Sequence, residues 1–433
     1  MPVVSQHLLS ATRLARQRLR AEQARQRSGK RHLVHYFHQV DDPYCALTAG
    51  VLSQMLARYD LDIAAHVVGA PADAAAPERE KLIAYSRRDA QRLAQHFGLG
   101  FRDPGAQPSP AAVRQANAQL VHAVATGRFM EQVVEVTQGL WQGASQVASH
   151  WAAYDASVPE DVSVKAHLNA AQQLRQALGH YLGATFFYAG EWYWGIDRLY
   201  HLERRLQALG AQRPMVQGCL FAPPGDLQHD VTLDAPEPIE FFFSLRSPYS
   251  AIVAPRVFEL GRHTGAAVHL RFVLPMVMRG LPVPGIKRRY IASDTAREAR
   301  ARSIAFGCIN DPVGRPTERG LALIPFAQSR GQGQAYVLSF MRGVWAQGLD
   351  AGSDKGLRTI VERADLPWQQ ARDALQDQRW RMTAEANRQE MFGLGLWGVP
   401  SFRVGDTAVW GQDRLWVVQE TLLKRQKVSA VAP

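Results

Sequence analysis

The two halves of this chain open with the same apolar-to-polar sequence pattern. Val34-His-Tyr-Phe-His is an apolar-rich run that enters a turn at Asp42-Pro43-Tyr44, and Ile239-Glu-Phe-Phe-Phe enters one at Ser247-Pro248-Tyr249. Apolar residues at helical spacing follow, as in Ala251–Leu260, so each opening predicts a strand running into a helix. Each half also closes alike, with an apolar strand, a short glycine-containing turn, a second strand ending at Trp-Gly, and a helix such as Arg198–Ala208. Between opening and closing lies helical periodicity, over 80–180 in the first half and 290–395 in the second. The second half has one more expected strand, Ala267–Leu274.

These similarities form a repeat. Val34–Ala46 aligns without a gap with Ile239–Ala251 at an offset of 205, and Ala184–Leu199 aligns with Pro400–Leu415 at an offset of 216, sharing Phe, Trp-Gly and Asp-Arg-Leu. The joining segment, 209–237, has the prolines and glycines of a linker in P-M-V-Q-G, A-P-P-G-D and D-A-P-E. The expected organisation is a basic N-terminal helix over 1–31, a domain over 32–208, the linker 209–237 and a domain over 238–433.

The 433 residues fit two to three domains at roughly 150 residues each, and a 46% hydrophobic share excludes a disordered or fibrous chain. No apolar run reaches membrane-spanning length and no secretory signal pattern is present, which predicts a cytoplasmic chain. Cys45, Cys219 and Cys308 include no C-x-x-C pair, so neither a disulfide framework nor a cysteine zinc cage is expected. His32, His35 and His38 lie on one predicted strand, where the middle residue faces away from the other two, so no metal site is expected there. Of the net charge of +11, residues 1–31 supply +7, with eight basic side chains against Glu22. Segment 5–28 reads as a polar helix with a thin stripe at Leu8, Leu9, Ala11, Leu14 and Ala15. Three roles stay open for it: a leader docked on the body, a contact with anionic lipid or nucleic acid, and a transit peptide.

The second half resembles 2-hydroxychromene-2-carboxylate isomerase and kappa-class glutathione transferase through F-F-F-S-L-R-S-P-Y-S, L-P-V-P-G-I-K-R-R-Y-I, G-V-P-S-F and W-G-Q-D-R-L. The first half resembles the same family more weakly. This resemblance implies an α/β fold of two thioredoxin-like domains, each with a large DsbA-like helical insertion, arranged as a pseudo-dimer within one chain. It also implies reduced glutathione as cofactor, no metal, and a small unsaturated acid as substrate.

Ser247 before Pro248 at a strand-to-helix junction is a helix cap followed by a first-turn proline. In the family context the Ser247 hydroxyl and the positive end of the helix would hold glutathione's sulfur as thiolate. The resemblance implies that Val399 and a cis Pro400 cradle the cysteinyl part, that Gln412 and Asp413 grip the γ-glutamyl end, that Lys287 meets a carboxylate, and that Tyr290 faces the substrate. Arg246, Lys287, Arg288 and Arg289 are candidate cations for the substrate's own carboxylate.

In the first half Asp42 stands at the Ser247 position, Ala184 at the Pro400 position and Asp197 at the Asp413 position. A carboxylate at position 42 repels a thiolate, and an alanine disfavours a cis bond, so glutathione is not expected there. Cys45 matches the resolving position of a C-x-x-C motif that lacks its attacking cysteine, and reads as a small buried hydrophobe. Three functions follow in order: a glutathione-dependent isomerase or transferase, a DsbA-family thiol-disulfide oxidoreductase, and a non-catalytic binding or scaffold protein keeping only the fold.

Overall fold

The computed structural model describes residues 2–142, 161–231 and 233–429. They fall into two compact units: Ala15–Pro223 with Pro284–Tyr290, and Met1–Leu14 with Pro224–Val283 and Ile291–Pro433. The division at Pro223–Pro224 lies inside the expected linker. Residues 1–31 do not form a unit of their own.

The first unit is built on β1 (His32–His38), β2 (Leu61–Val67), β3 (Thr185–Tyr188) and β4 (Glu191–Trp194), in the order β2-β1-β3-β4. β1 and β2 are parallel, pairing His32 with Leu61 through His38 with Val67, while β3 and β4 are antiparallel to their neighbours. Ala189 and Gly190, both at positive φ (44° and 89°), make the tight turn of the β3–β4 hairpin, which is the geometry that matches strand twist. The second unit repeats the order with β5 (Ile239–Phe243), β6 (Val268–Phe272), β7 (Ser401–Val404) and β8 (Thr407–Trp410), arranged β6-β5-β7-β8. Phe241, Phe242 and Phe243 are all fully buried, as a central strand covered on both faces requires.

Helices fill the stretches of helical periodicity. In the first unit they are Arg79–Phe97, Pro110–Ala125, Phe129–Gln142 and Asp161–Leu178, with 143–160 outside the described residues. The stretch from 285 to 393 forms six helices, from Gly285–Ala301 to Trp380–Gly393. In each unit the closing hairpin leads through a short 3-10 turn into the last helix, Leu199–Ala208 or Leu415–Ser429.

Two expectations are corrected. The first half has its own parallel strand, β2, where the sequence reading gave the extra strand to the second half alone. Most of β2 is only half-buried, so it has no continuous apolar signature, and pairing with β1 supplies what side-chain pattern did not. The expected helix 5–28 is two helices, Pro2–Leu8 and Ala11–Arg27, because Ser10 interrupts it and accepts from the Arg13 N–H at 3.2 Å as a new cap. Both pieces are held by the body. Ser5 Oγ accepts from the Ile309 N–H at 2.9 Å in the second unit, and Arg18 grips Glu191 with two hydrogen bonds of 2.7 and 2.8 Å in the first. Arg31 is likewise paired with Asp60 and Asp62. Among the described residues no helix is long and apolar enough to cross a membrane.

Candidate functional site

In the second unit β5 delivers the chain to Ser247, the N-cap of the 17-residue helix Pro248–Thr264. Ser247 has extended backbone angles (φ −93°, ψ 115°), and its Oγ accepts from the Ser250 N–H at 3.1 Å. Pro248, in the first turn, has no N–H to leave unsatisfied. The Ser247 hydroxyl also donates to the Val399 carbonyl at 3.5 Å. The Val399–Pro400 peptide bond is cis, and the Pro400 carbonyl accepts from the Gly411 N–H at 2.8 Å. Helix cap, cis loop and the turn before Asp413 are thus joined by hydrogen bonds across more than 150 residues of chain. Ser247, Pro248, Val399 and Asp413 are half-buried, whereas Pro400 is buried. Asp413 Oδ2 lies 4.0 Å from the Arg414 guanidinium.

Three candidates are placed elsewhere. The Gln412 side chain is 1% exposed, with its Nε2 donating to Glu298 at 2.9 Å and its Oε1 accepting from Arg256 at 3.0 Å; Arg256 in turn pairs with Asp226. Both ends of the Gln412 amide are thus used inside the fold. Lys287 and Tyr290 belong to the segment that clusters with the first unit. The buried Lys287 ammonium donates to the Ala75 carbonyl at 2.9 Å, and burial lowers its pKa to about 8. Tyr290 is buried edge-on to His180, with ring centroids 4.3 Å apart, in a cluster with Phe37, Val68 and Trp192. Both side chains are buried by packing within that unit. Among the candidate cations, Arg246 pairs with Asp311 through two 2.8 Å hydrogen bonds, and Arg288 and Arg289 are exposed.

The first unit holds a differently built counterpart. Asp42 caps Pro43–Ala49, accepting from the Tyr44 N–H at 2.9 Å, and burial raises its carboxyl to about 7. Cys45 is fully buried, and its Sγ accepts from the Gln39 N–H at 3.1 Å and the Ala184 N–H at 2.9 Å. Burial pushes this thiol well up. Ala184 has a positive φ of 52° without a cis bond, yet its carbonyl accepts from the Gly195 N–H at 2.7 Å, as Pro400 does from Gly411. Asp197 is half-buried in the 3-10 turn. The three strand histidines have separate partners: His32 meets Tyr188, His35 meets His66, and His38 meets Tyr36 and Thr137.

The sequence reading missed a pair of carboxylates. Tyr249 donates to Asp294 and Tyr44 to Asp89, and both aspartates are 1% exposed. Extending the 205-residue offset past the opening motif reaches them, because Tyr85, Asp89 and Arg92 recur as Tyr290, Asp294 and Arg297. Ser250, which replaces Cys45, was also missed; its Oγ is buried and has no hydrogen-bond partner among the described residues, since Pro400 lacks the N–H that Ala184 gives to Cys45.

Among known proteins, the family model of the DSBA-like thioredoxin domain matches residues 238–423. The 2-hydroxychromene-2-carboxylate isomerase of Sphingobium xenophagum is 22% identical over 193 residues, covering 43% of this chain and 97% of that protein. The solved structure of a 2-hydroxychromene-2-carboxylate isomerase is 20% identical, covers 45% of this chain and 99% of its own, and superimposes with a TM-score of 0.39. For the cytosolic disulfide reductase DsbM from Pseudomonas aeruginosa the corresponding values are 18%, 45%, 99% and 0.35. Residues 238–423 therefore form a DsbA-like thioredoxin domain.

Proposed function

We propose that the second unit is a glutathione-dependent isomerase or transferase acting on a small unsaturated acid. The observation that carries this reading is the approach of the Ser247 hydroxyl to the carbonyl of the cis-bonded Val399. The half-buried Ser247 lies at the positive end of a 17-residue helix, where its hydroxyl and the helix dipole favour an anion. Val399 beside it is half-buried and lies just before strand β7, a place that suits an extended peptide. Asp413, at the far end of the same hydrogen-bonded frame, is an acceptor for an ammonium group. These residue types fit glutathione.

Bound glutathione would supply a sulfur nucleophile that adds reversibly to the conjugated carbon, so that the former double bond rotates before the sulfur leaves unchanged. Ser247 would donate to that sulfur and favour its unprotonated form, Val399 and Pro400 would line its place, and Arg246 would exchange Asp311 for the substrate carboxylate. Under the same proposal residues 32–208 are a degenerate second DsbA-like domain without a glutathione site, and the chain works as a single-copy pseudo-dimer. Sedimentation at micromolar concentration then gives one chain mass, 48.1 kDa. Disulfide exchange has no support in the first unit, where Cys45 is fully buried and has no cysteine at position 42.

Calorimetric titration of the full chain with reduced glutathione tests the reading. One site per chain is expected, weakened at least tenfold in the double variant Pro400→Ala, Asp413→Ala. Two equivalent sites, or binding that survives both substitutions, contradicts it.

A further inference from the structure

The first unit carries a buried cation that has no ion-pair partner among the described residues. Arg175, on the helix Asp161–Leu178, is 1% exposed. Its Nη2 reaches the Gly69 carbonyl at 3.5 Å, and among the described residues its Nε and Nη1 have no hydrogen-bond partner. The neighbouring hydrogen bonds fix its place. Val68, just before Gly69, donates from its N–H to the His38 carbonyl at 2.9 Å, and the first N–H after β1, that of Gln39, points at Cys45 Sγ at 3.1 Å. The guanidinium therefore lies where the parallel strands β1 and β2 end, close enough to Asp42 and Cys45 for its charge to act on both. Carboxyl ends of parallel strands are where open α/β sheets take their ligands.

Among the described residues this cation has no full counterion. Burial lowers Arg175 only to about 10, so it is charged at neutral pH. The Cys45 thiol is pushed well up and stays neutral, while Asp42, raised to about 7, is only partly ionised. Among the described residues neither of them forms an ion pair or hydrogen bond with Arg175. A buried, uncompensated charge with idle donors is strongly unfavourable unless an acceptor completes it. Gly183 closes over Cys45: a Cβ there would stand 3.0 Å from Sγ and 2.8 Å from Gln39 Cβ. The thiol already accepts two backbone N–H groups, so the idle hydrogen-bonding groups of the site are those of the guanidinium.

We propose that the first unit binds a small oxyanion, a carboxylate or a phosphate, on the idle N–H groups of Arg175 beside Asp42 and Cys45. This site is independent of Ser247, which belongs to the other unit, so it stands or falls apart from the glutathione reading.

The test is calorimetric titration of the full chain with sodium acetate and, separately, with inorganic phosphate. One saturable site for at least one of the two anions is expected, weakened at least tenfold in Arg175→Met and unchanged in Arg315→Met, which removes an exposed cation of the second unit. Acetate saturation assigns the site to carboxylates and phosphate saturation to phosphates. Saturation by neither, or equal binding by wild type and Arg175→Met, overturns the proposal. Should Arg175→Met fail to fold, the Arg175 Nε–H resonance of the wild-type protein decides: it shifts saturably with the anion, or its indifference overturns the site.

Discussion

The Tyr249 hydroxyl donates to the buried carboxylate of Asp294 at 2.7 Å, and the first half repeats the pair as Tyr44 to Asp89 at 2.8 Å. Arg297 completes the first pair and Arg92, at 3.7 Å, the second. The tyrosine after each motif proline thus ties the site helix to the first helix of the insertion. Tyr249→Phe leaves a buried carboxylate short of one donor, which costs about 1.5–3 kcal/mol. Urea unfolding reads this as a lower midpoint; an unchanged midpoint means that the Tyr249 hydroxyl adds nothing to holding Asp294.

Ser247→Ala removes both the helix cap and the proposed donor to sulfur. The cap is worth about 1 kcal/mol of stability. The chemical step falls about 100-fold, the scale for losing one preorganised donor. Absorbance near 240 nm follows the thiolate of bound glutathione, and an equal thiolate signal in wild type and variant shows that Ser247 has no part in ionising it.

Insulin reduction and disulfide shuffling stay at background in the wild-type protein. Cys45 is fully buried, its thiol is pushed up by burial, and exchange needs an accessible thiolate with a resolving partner. Activity in the wild type that disappears in Cys45→Ala contradicts this expectation.

Asp42→Asn changes how stability depends on pH. The folded state lifts this carboxyl from its ordinary value of 3.8 to about 7, so between those values the folded chain holds a proton that the unfolded chain has released. Stability on this account is full below about 3.8 and declines as pH rises toward 7. Asparagine keeps the oxygen that accepts from the Tyr44 N–H but does not titrate, so the variant gains on the wild type from pH 4 to pH 7. Parallel Tm profiles for the two proteins rule the raised carboxyl out.

Gly183→Ala overfills the first unit. Its Cβ would meet Gln39 Cβ at 2.8 Å, Cys45 Sγ at 3.0 Å and Asp42 Oδ2 at 3.1 Å, and overpacking of this kind costs about 1–3 kcal/mol. Val399 holds the equivalent position in the second unit, beside Ser247 rather than beside Asp42 and Cys45. Thermal unfolding of Gly183→Ala at wild-type Tm contradicts the close approach.

Local chemistry decided what the sequence determined by itself. Strand-to-helix junctions at Asp42-Pro43 and Ser247-Pro248 were legible because a short polar cap followed by proline acts within one turn. The closing hairpins were legible from apolar runs around a glycine turn, and both are present as β3–β4 and β7–β8. The strand expected over Ala267–Leu274 is there as β6. Tertiary structure decided the rest, through contacts between residues distant along the chain. β2 exists because β1 pairs with it, although most of its side chains are only half-buried. Gln412 looks like a ligand contact in its motif, yet Glu298, 114 positions away, and Arg256 take up its amide. Lys287 carries a site-like sequence context, and Ala75, 212 positions away, receives its ammonium. Arg175 stands in an unremarkable helical pattern; only burial at the ends of β1 and β2 turns its charge into a binding question, because a guanidinium that costs nothing in water needs an acceptor once water is excluded.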